Sequence, residues 1–389
     1  MIFTGMSSVF IEDTQIPQVG FAPLRPVKGV GDCRSLAARF ERLCRINRKG
    51  YFMAEYVKVA VDAMGGDNAP GEIVKGAVEA IQAEKKIKVY LIGKEEQIKA
   101  ELSRYTYPEE QVEVVNATEV IAMAEPPVAA IRSKKDSSIV KGLYMVREGR
   151  CDAFVSAGST GAVLAGGQVI VGRSKGVERP PLAPLIPTEK GASLLIDCGA
   201  NVDAKPSQLV QFAKMGSIYM ENVMGIKNPR VGIVNIGAEE EKGNALVKET
   251  FPMLKECSDI NFIGSIEARD IPAGAADVVV CEAFVGNVVL KLYEGVGATL
   301  IKKVKGGMMV NLRSKIGALL VKPALKQTLK AFDLEQYGGA PLLGLKGLVV
   351  KTHGSSKAVE IKNTILQCVT FKEQDINGKI RKVISGTAE

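Results

Sequence analysis

The stretch VKVAVDAMGGDNAP at residues 57–70 decides the fold. It opens with a short β-branched and small apolar run, the pattern of a strand covered on both faces, and stops at Asp62 ahead of Gly65 and Gly66. Residues 71–84 then bring Ile73, Val74, Ala77, Val78 and Ile81 back at three- and four-residue spacing, which predicts an amphipathic helix. The same alternation recurs with VYLIG at 89, VEVV at 112, AFVSAG at 153, SLLIDCG at 193, VGIVNIG at 231 and VVVCEAF at 278. It predicts an α/β protein with a Rossmann-like, mostly parallel sheet covered by helices.

Several of these runs end in a polar residue followed closely by glycine: Asp62, Ser156, Asp197, Asn235 and Glu282. In open parallel sheets ligands bind beyond the carboxyl ends of strands, so these residues should ring one crevice. The turns SAGSTGA at 156–162, DCGAN at 197–201 and IGAEEEKGN at 236–244 can direct backbone N–H groups and helix N-termini at an anion, as a phosphate cradle would. The plainer reading of each glycine turn is a strand-to-helix connection, and of Asp62 and Asp197 a cap or backbone-turn bond. Lys242 stands out, because a cation near a helix N-terminus is mildly unfavourable unless an anion sits there.

The 389 residues carry 51 Lys and Arg against 43 Asp and Glu, a net charge of +8, with 46% hydrophobic residues. That composition fits a globular chain with a large core and excludes disordered, collagen-like and disulfide-scaffold classes. A single histidine, His353, removes mechanisms that need two imidazoles, and seven cysteines without a CxxC pair support neither a zinc knuckle nor a dithiol motif. No metal or cofactor is expected. The isolated thiols point to a reducing cytosol, and Cys198 reads as a small core residue rather than a nucleophile. Neither a P-loop nor a G-x-G-x-x-G between the first strand and the first helix is present. The longest uncharged run, residues 153–172, holds five glycines and reads as buried strand, loop and helix instead of a membrane span.

Residues 1–52 supply half of the net charge without helix or strand periodicity, and are expected to be a disordered or mis-annotated leader. On this reading translation begins at Met53 and the folded domain runs over 53–389. Between Gly295 and Phe332 there is no acidic residue, while Lys302, Lys303, Lys305, Arg313, Lys315, Lys322, Lys326 and Lys330 accumulate. Met308, Met309, Leu312, Ile316, Leu319 and Leu320 fall on one helical face, with Pro323 expected to close the run. The segment reads either as a core-packing helix or as a contact for an acidic protein or an anionic membrane. Nucleic acid is disfavoured, since aromatic stacking residues are missing from it.

VAVDAMGGDNAP at 59–70, RSKKDSS at 132–138, SAGSTGA, DCGANVDAKPSQLVQFAKMG at 197–216, GAEEEKGN, FVGNVVLK at 284–291, and YGGAPLLG with HGSS over 337–356 together resemble the bacterial acyl-ACP:phosphate acyltransferase family of phospholipid synthesis. The resemblance spans about residues 53–377, with departures at Ser159, where the family carries Asn, and in EAFVGN at 282–287, where it carries DGFTGN, so that a carboxylate survives at Glu282 and the usual Thr is lost at Val285. It implies a fold similar to phosphotransacetylases and isopropylmalate dehydrogenases, a cytoplasmic homodimer, and peripheral attachment to an anionic membrane. It also implies transfer of a fatty acyl group from acyl carrier protein to inorganic phosphate, giving acyl phosphate for a downstream glycerol-3-phosphate acyltransferase.

On that reaction phosphate is itself the nucleophile, so the site must hold a dianion beside a thioester carbonyl and stabilise the oxyanion. Phosphate binding is expected from Ser156, Gly158, Ser159, Thr160 and Gly161, from Gly199 to Asn201, and from Lys242, with Asp62, Asp197, Lys205 and Glu282 lining the site. Asn201, Asn287 and His353 are the expected groups at the carbonyl or phosphate. Lys302, Lys303, Lys305, Met308, Met309, Leu312, Arg313, Ile316 and Leu319 are expected to meet the carrier protein or membrane. An acyl-CoA:phosphate transferase and a catalytically weakened membrane scaffold remain the alternatives.

Overall fold

In the computed structural model, residues 56–330 and 336–386 are described. The leader expected over 1–52 and the start at Met53 lie outside the described residues. The chain runs β1 (Val57–Asp62), α1 (Gly71–Ala83), β2 (Ile87–Gly93), α2 (Glu95–Leu102), β3 (Val112–Asn116), α3 (Pro127–Ser133), α4 (Ser138–Arg147), β4 (Ala153–Ser156) and α5 (Thr160–Gly166), the last passing into a π turn over Gly167–Val171. It continues through β5 (Leu185–Thr188), β6 (Gly191–Ile196), α6 (Pro206–Asn222), β7 (Arg230–Asn235), α7 (Ala245–Lys255), β8 (Asn261–Glu267), β9 (Val278–Val280), α8 (Ala283–Met308), α9 (Leu312–Lys330), β10 (Ala340–Pro341), β11 (Leu348–Lys351), α10 (Ala358–Glu373) and α11 (Ile376–Ser385). The uncharged run at 153–172 is β4, α5 and the π turn, as its glycines indicated.

The strands form two sheets rather than one. The first has the order β10, β11, β4, β1, β2, β3, and the second β5, β6, β9, β7, β8. All pairings are parallel except β10 with β11 and β5 with β6. The division occurs where the chain turns back on itself: β5 pairs antiparallel with β6 and becomes an edge, so β9, β7 and β8 build outward from β6, while β11 returns to β4. Segment 181–183 joins the sheets, since Leu343 N donates to Pro181 O at 3.1 Å and Leu182 N donates to Asp197 Oδ1 at 2.9 Å.

Side-chain alternation along each strand gives every sheet two buried faces. Val59, Val61, Val155 and Val350 share one core with Leu194, Ile196, Val278 and Val280 of the second sheet, together with α1, α6 and α10. Ala60, Phe154 and Val349 face the other way, against Ile139 and Leu143 of α4 and Val163 of α5. The five apolar residues anticipated in α1 are all buried. Each buried Ile or Val among them contributes about 1.5–3 kcal/mol.

The basic segment is two helices, not one. α8 buries only Ala283 and Gly286, a break at residues 309–311 follows, and α9 passes through Pro323 to Lys330, so the proline does not close the run. It is not a core-packing helix either: Leu312, Leu319 and Leu320 are each at least 70% exposed.

Candidate active site

Three neighbouring strands of the first sheet end in a lateral row of polar side chains. β11 pairs Lys351 with Ser156 of β4, and β4 pairs Val155 with Val61 of β1, which places Asp62 one step further beside Ser156. By alternation the three share the face of Ala60, Phe154 and Val349. All are buried. Ser156 Oγ donates to Asp62 Oδ2 at 2.7 Å and accepts from Gly158 N at 3.0 Å, while Met64 N donates to Asp62 Oδ1 at 3.1 Å and Ser138 acts on the same carboxyl. Burial pushes the Asp62 carboxyl up, against the pull of these donors. Burial likewise pushes the Lys351 ammonium down to about 8, with Asp62 and Glu360 opposing it and Lys291 of α8 acting in the same direction as burial.

Two loops close over this row. Asp67 N donates to Gly354 O at 2.7 Å and Asn68 Nδ2 to Ser355 O at 3.0 Å, so the GGDN and HGSS turns clasp each other. Gly65 is required here, since a Cβ on it would stand 2.3 Å from Asp62 Oδ2 and 2.5 Å from Gly158 N. His353 is exposed. Its Nδ1 lies 2.7 Å from Ser355 Oγ, and its backbone N–H donates to Glu360 Oε1 at 3.0 Å. Ser159 is buried and caps α5, accepting from Ala162 N at 3.4 Å, with Thr160 and Gly161 in the first turn.

In the second sheet Asp197, fully buried, organises the DCGAN turn from inside. Its Oδ1 accepts from Leu182 N at 2.9 Å and from Gly199 N and Ala200 N at 3.2 Å each; its Oδ2 accepts from Asn201 N at 2.8 Å and Asn201 Nδ2 at 2.7 Å. The expectation that the amides of Gly199 to Asn201 face a phosphate is therefore corrected: they face the Asp197 carboxylate. Asn201 Nδ2 also donates to Pro180 O at 3.1 Å, so its amide is committed inside the fold and not offered to a carbonyl. Lys205 is exposed beyond this turn at the start of α6.

α8 begins against the same turn. Ala283 N donates to Asn201 O at 3.0 Å, Glu282 caps the helix by accepting from Val285 N at 3.1 Å, and Asn287 is exposed in the first turns. Burial, with Asp197 nearby, pushes the Glu282 carboxyl up. Lys291, two turns along α8, acts electrostatically on both Lys351 of the first sheet and Cys198 of the second. Cys198 and Cys281 are buried and their thiols are pushed well up by burial, so neither is a ready nucleophile.

Lys242 is not brought to this crevice. It is exposed, its Nζ pairs with Glu239 Oε1 at 2.7 Å, and β9 separates its strand from that of Asp197. The loop it occupies is not helical, since α7 starts at Ala245 behind an Asn244 cap. The helix dipole argument for an anion at Lys242 falls with that, because Glu239 already neutralises it. Ser138, Lys291, Lys351 and Thr352 belong to the crevice without having been singled out, although RSKKDSS and FVGNVVLK contain two of them. Among the described residues no group of three or more His, Cys, Asp or Glu could hold a metal ion. A cavity of about 400 Å³ bounded by Val146, Arg147, Ile170 and Lys346 lies at the amino ends of β4 and β11, away from this chemistry.

A family model described as "Fatty acid synthesis protein" matches residues 57–379. The phosphate acyltransferase of Clostridium beijerinckii is 52% identical over 330 residues, covering 85% of this chain and 99% of the relative. That of Clostridium perfringens is 50% identical over 329 residues, covering 85% and 97%. The chain belongs to the phosphate acyltransferase family. Among solved structures, the EutD phosphotransacetylase from Staphylococcus aureus superposes with a TM-score of 0.51 at 16% identity, covering 82% of this chain and 95% of that one. A phosphotransacetylase from Streptococcus pyogenes gives 0.51 at 19% identity, covering 88% and 99%. At such identities the likeness shows the fold alone, and it agrees with the two helix-covered, mostly parallel sheets of this chain.

Proposed function

We propose that this chain transfers a fatty acyl group from acyl carrier protein to inorganic phosphate, releasing acyl phosphate for glycerol-3-phosphate acylation in phospholipid synthesis. The observation that carries it is a crevice of polar strand ends whose cysteines are buried with their thiols pushed up. With neither of these thiols activated, the acceptor attacks directly. A phosphate oxygen bonds to the thioester carbon, the C–S bond breaks, and the sulfur leaves as a thiol after taking a proton. The oxyanion formed on the way needs donors, each supplying about 3 kcal/mol; Asn287 and His353 are the exposed candidates at the rim.

The α8–α9 hairpin supports contact with an acidic carrier protein, an anionic membrane or a second copy of the chain, at a cytoplasmic membrane surface. Phe284, Val288, Leu292, Val296 and Leu300 recur every fourth residue and are each more than half exposed, and the residues around Met309 are basic. The test is incubation with palmitoyl-carrier protein, with and without phosphate, and hydroxylamine trapping of the mixed anhydride. Hydroxamate that requires phosphate is expected. A palmitoyl-CoA arm that outruns the carrier-protein arm would move the donor to CoA, and no hydroxamate with either would leave the scaffold reading.

A further inference from the structure

We propose that Lys351 is the cation that holds the phosphate acceptor, gripping it at the carboxyl edge of the first sheet. This rests on the reading that inorganic phosphate is the acceptor. Lys351 ends β11 at the same level as Ser156 and beside Asp62, and only 6% of it is exposed. Its ammonium donates to the Thr352 carbonyl, and no ion pair to it forms among the described residues. Asp62 on β1, Glu360 on α10 and Lys291 on α8 act on it through space. A buried ammonium without a bonded anion is costly, and the cost is relieved when an anion enters.

A second observation points the same way. The hydroxyl of Thr352, the next residue along, is buried and has no hydrogen-bond partner, and Thr352 is only 2% exposed. Buried hydroxyls are nearly always satisfied, so the end of β11 carries a buried cation without an ion pair next to a hydroxyl that the fold leaves unused. Lys242, the cation the sequence suggested, is by contrast exposed and already paired. Lys291 is paired with Glu294 at 2.8 Å. Lys351 differs from both in being buried without an ion pair among the described residues, with Asp62 and Glu360 acting on it only through space.

The experiment measures KM for inorganic phosphate and for the acyl thioester in the wild-type chain, Lys351→Met and Lys351→Arg. Loss of a hydrogen bond to a charged group should raise the phosphate KM of Lys351→Met roughly ten- to a hundredfold. The thioester KM should stay within about twofold of wild type, and Lys351→Arg should recover part of the loss. A phosphate KM that does not move, or a thioester KM that rises instead, overturns the proposal. Should Lys351→Met not fold, calorimetry of phosphate binding to the wild-type chain above pH 8, in two buffers of different ionisation enthalpy, replaces it. Net proton uptake is expected as the anion recharges Lys351, and its absence overturns the proposal. A wild-type chain that consumes no thioester with phosphate present would instead sink the acceptor reading, which keeps the two failures apart.

Discussion

The carbonyl oxygen of Asp197 occupies the space a side chain on Gly286 would need: a Cβ built there stands 1.9 Å from it. The contact is backbone against backbone, in the first turn of α8, and neither partner can rotate away. Gly286→Ala should therefore part α8 from the DCGAN turn. The expected cost is about 3 kcal/mol, read as a lowered midpoint in chemical denaturation. Hydroxamate formation should fall in the same variant even well below its melting temperature. A variant of unchanged stability would show that the turn yields freely.

Asp197 is expected to act as an anchor. Asp197→Ala leaves the N–H groups of Leu182, Gly199, Ala200 and Asn201 without an acceptor, at a cost of about 1–3 kcal/mol for each that stays unsatisfied. Asp197→Asn keeps one acceptor oxygen and should lose markedly less. Comparing the two by denaturation separates loss of the acceptor from loss of the charge.

For Lys351 the link between stability and pH runs opposite to that of a salt-bridged lysine. Unfolded, it holds its proton up to about its ordinary value of 10.5; folded, it releases the proton at about 8. Between those values the unfolded chain binds more protons, so this group's contribution to stability rises with pH and its full penalty is present below pH 8. Lys351→Met should therefore be more stable than wild type at pH 7, by about 3 kcal/mol, with the difference shrinking to nothing near pH 10.5. Denaturation of both proteins at pH 7 and at pH 10 checks this.

On the hairpin, Leu319 and Leu320 are 70% and 77% exposed. Replacing both with Glu should abolish flotation with anionic liposomes at low salt while shifting folding stability by no more than about 0.5 kcal/mol. Persistent flotation would place membrane contact elsewhere.

Much of this architecture was legible because seven strands are short apolar runs, most of them followed closely by glycine, and a covered parallel strand has few other ways to be written. The split into two sheets was not, because it depends on β5 turning back to pair antiparallel with β6, a tertiary choice that leaves no periodic trace. Asp62 and Ser156 were legible as polar residues ending apolar runs beside glycine. Lys351 has the spacing of Asp62, three residues ahead of a glycine, but was not legible because its run, LVVK, ends on a lysine, a residue that is almost never fully buried unless paired. At Asp197 the sequence shows a turn rich in N–H groups but not the direction in which they point, and here they point inward. Lys242 fails for a related reason, since its partner Glu239 lies three residues away and either could have turned outward.

α8 starts at the turn held by Asn201 and runs 26 residues without interruption, about 39 Å at helical rise. Its root and its tip therefore form one continuous spar, along which a load applied at the exposed tip would be carried to the turn that Asp197 organises.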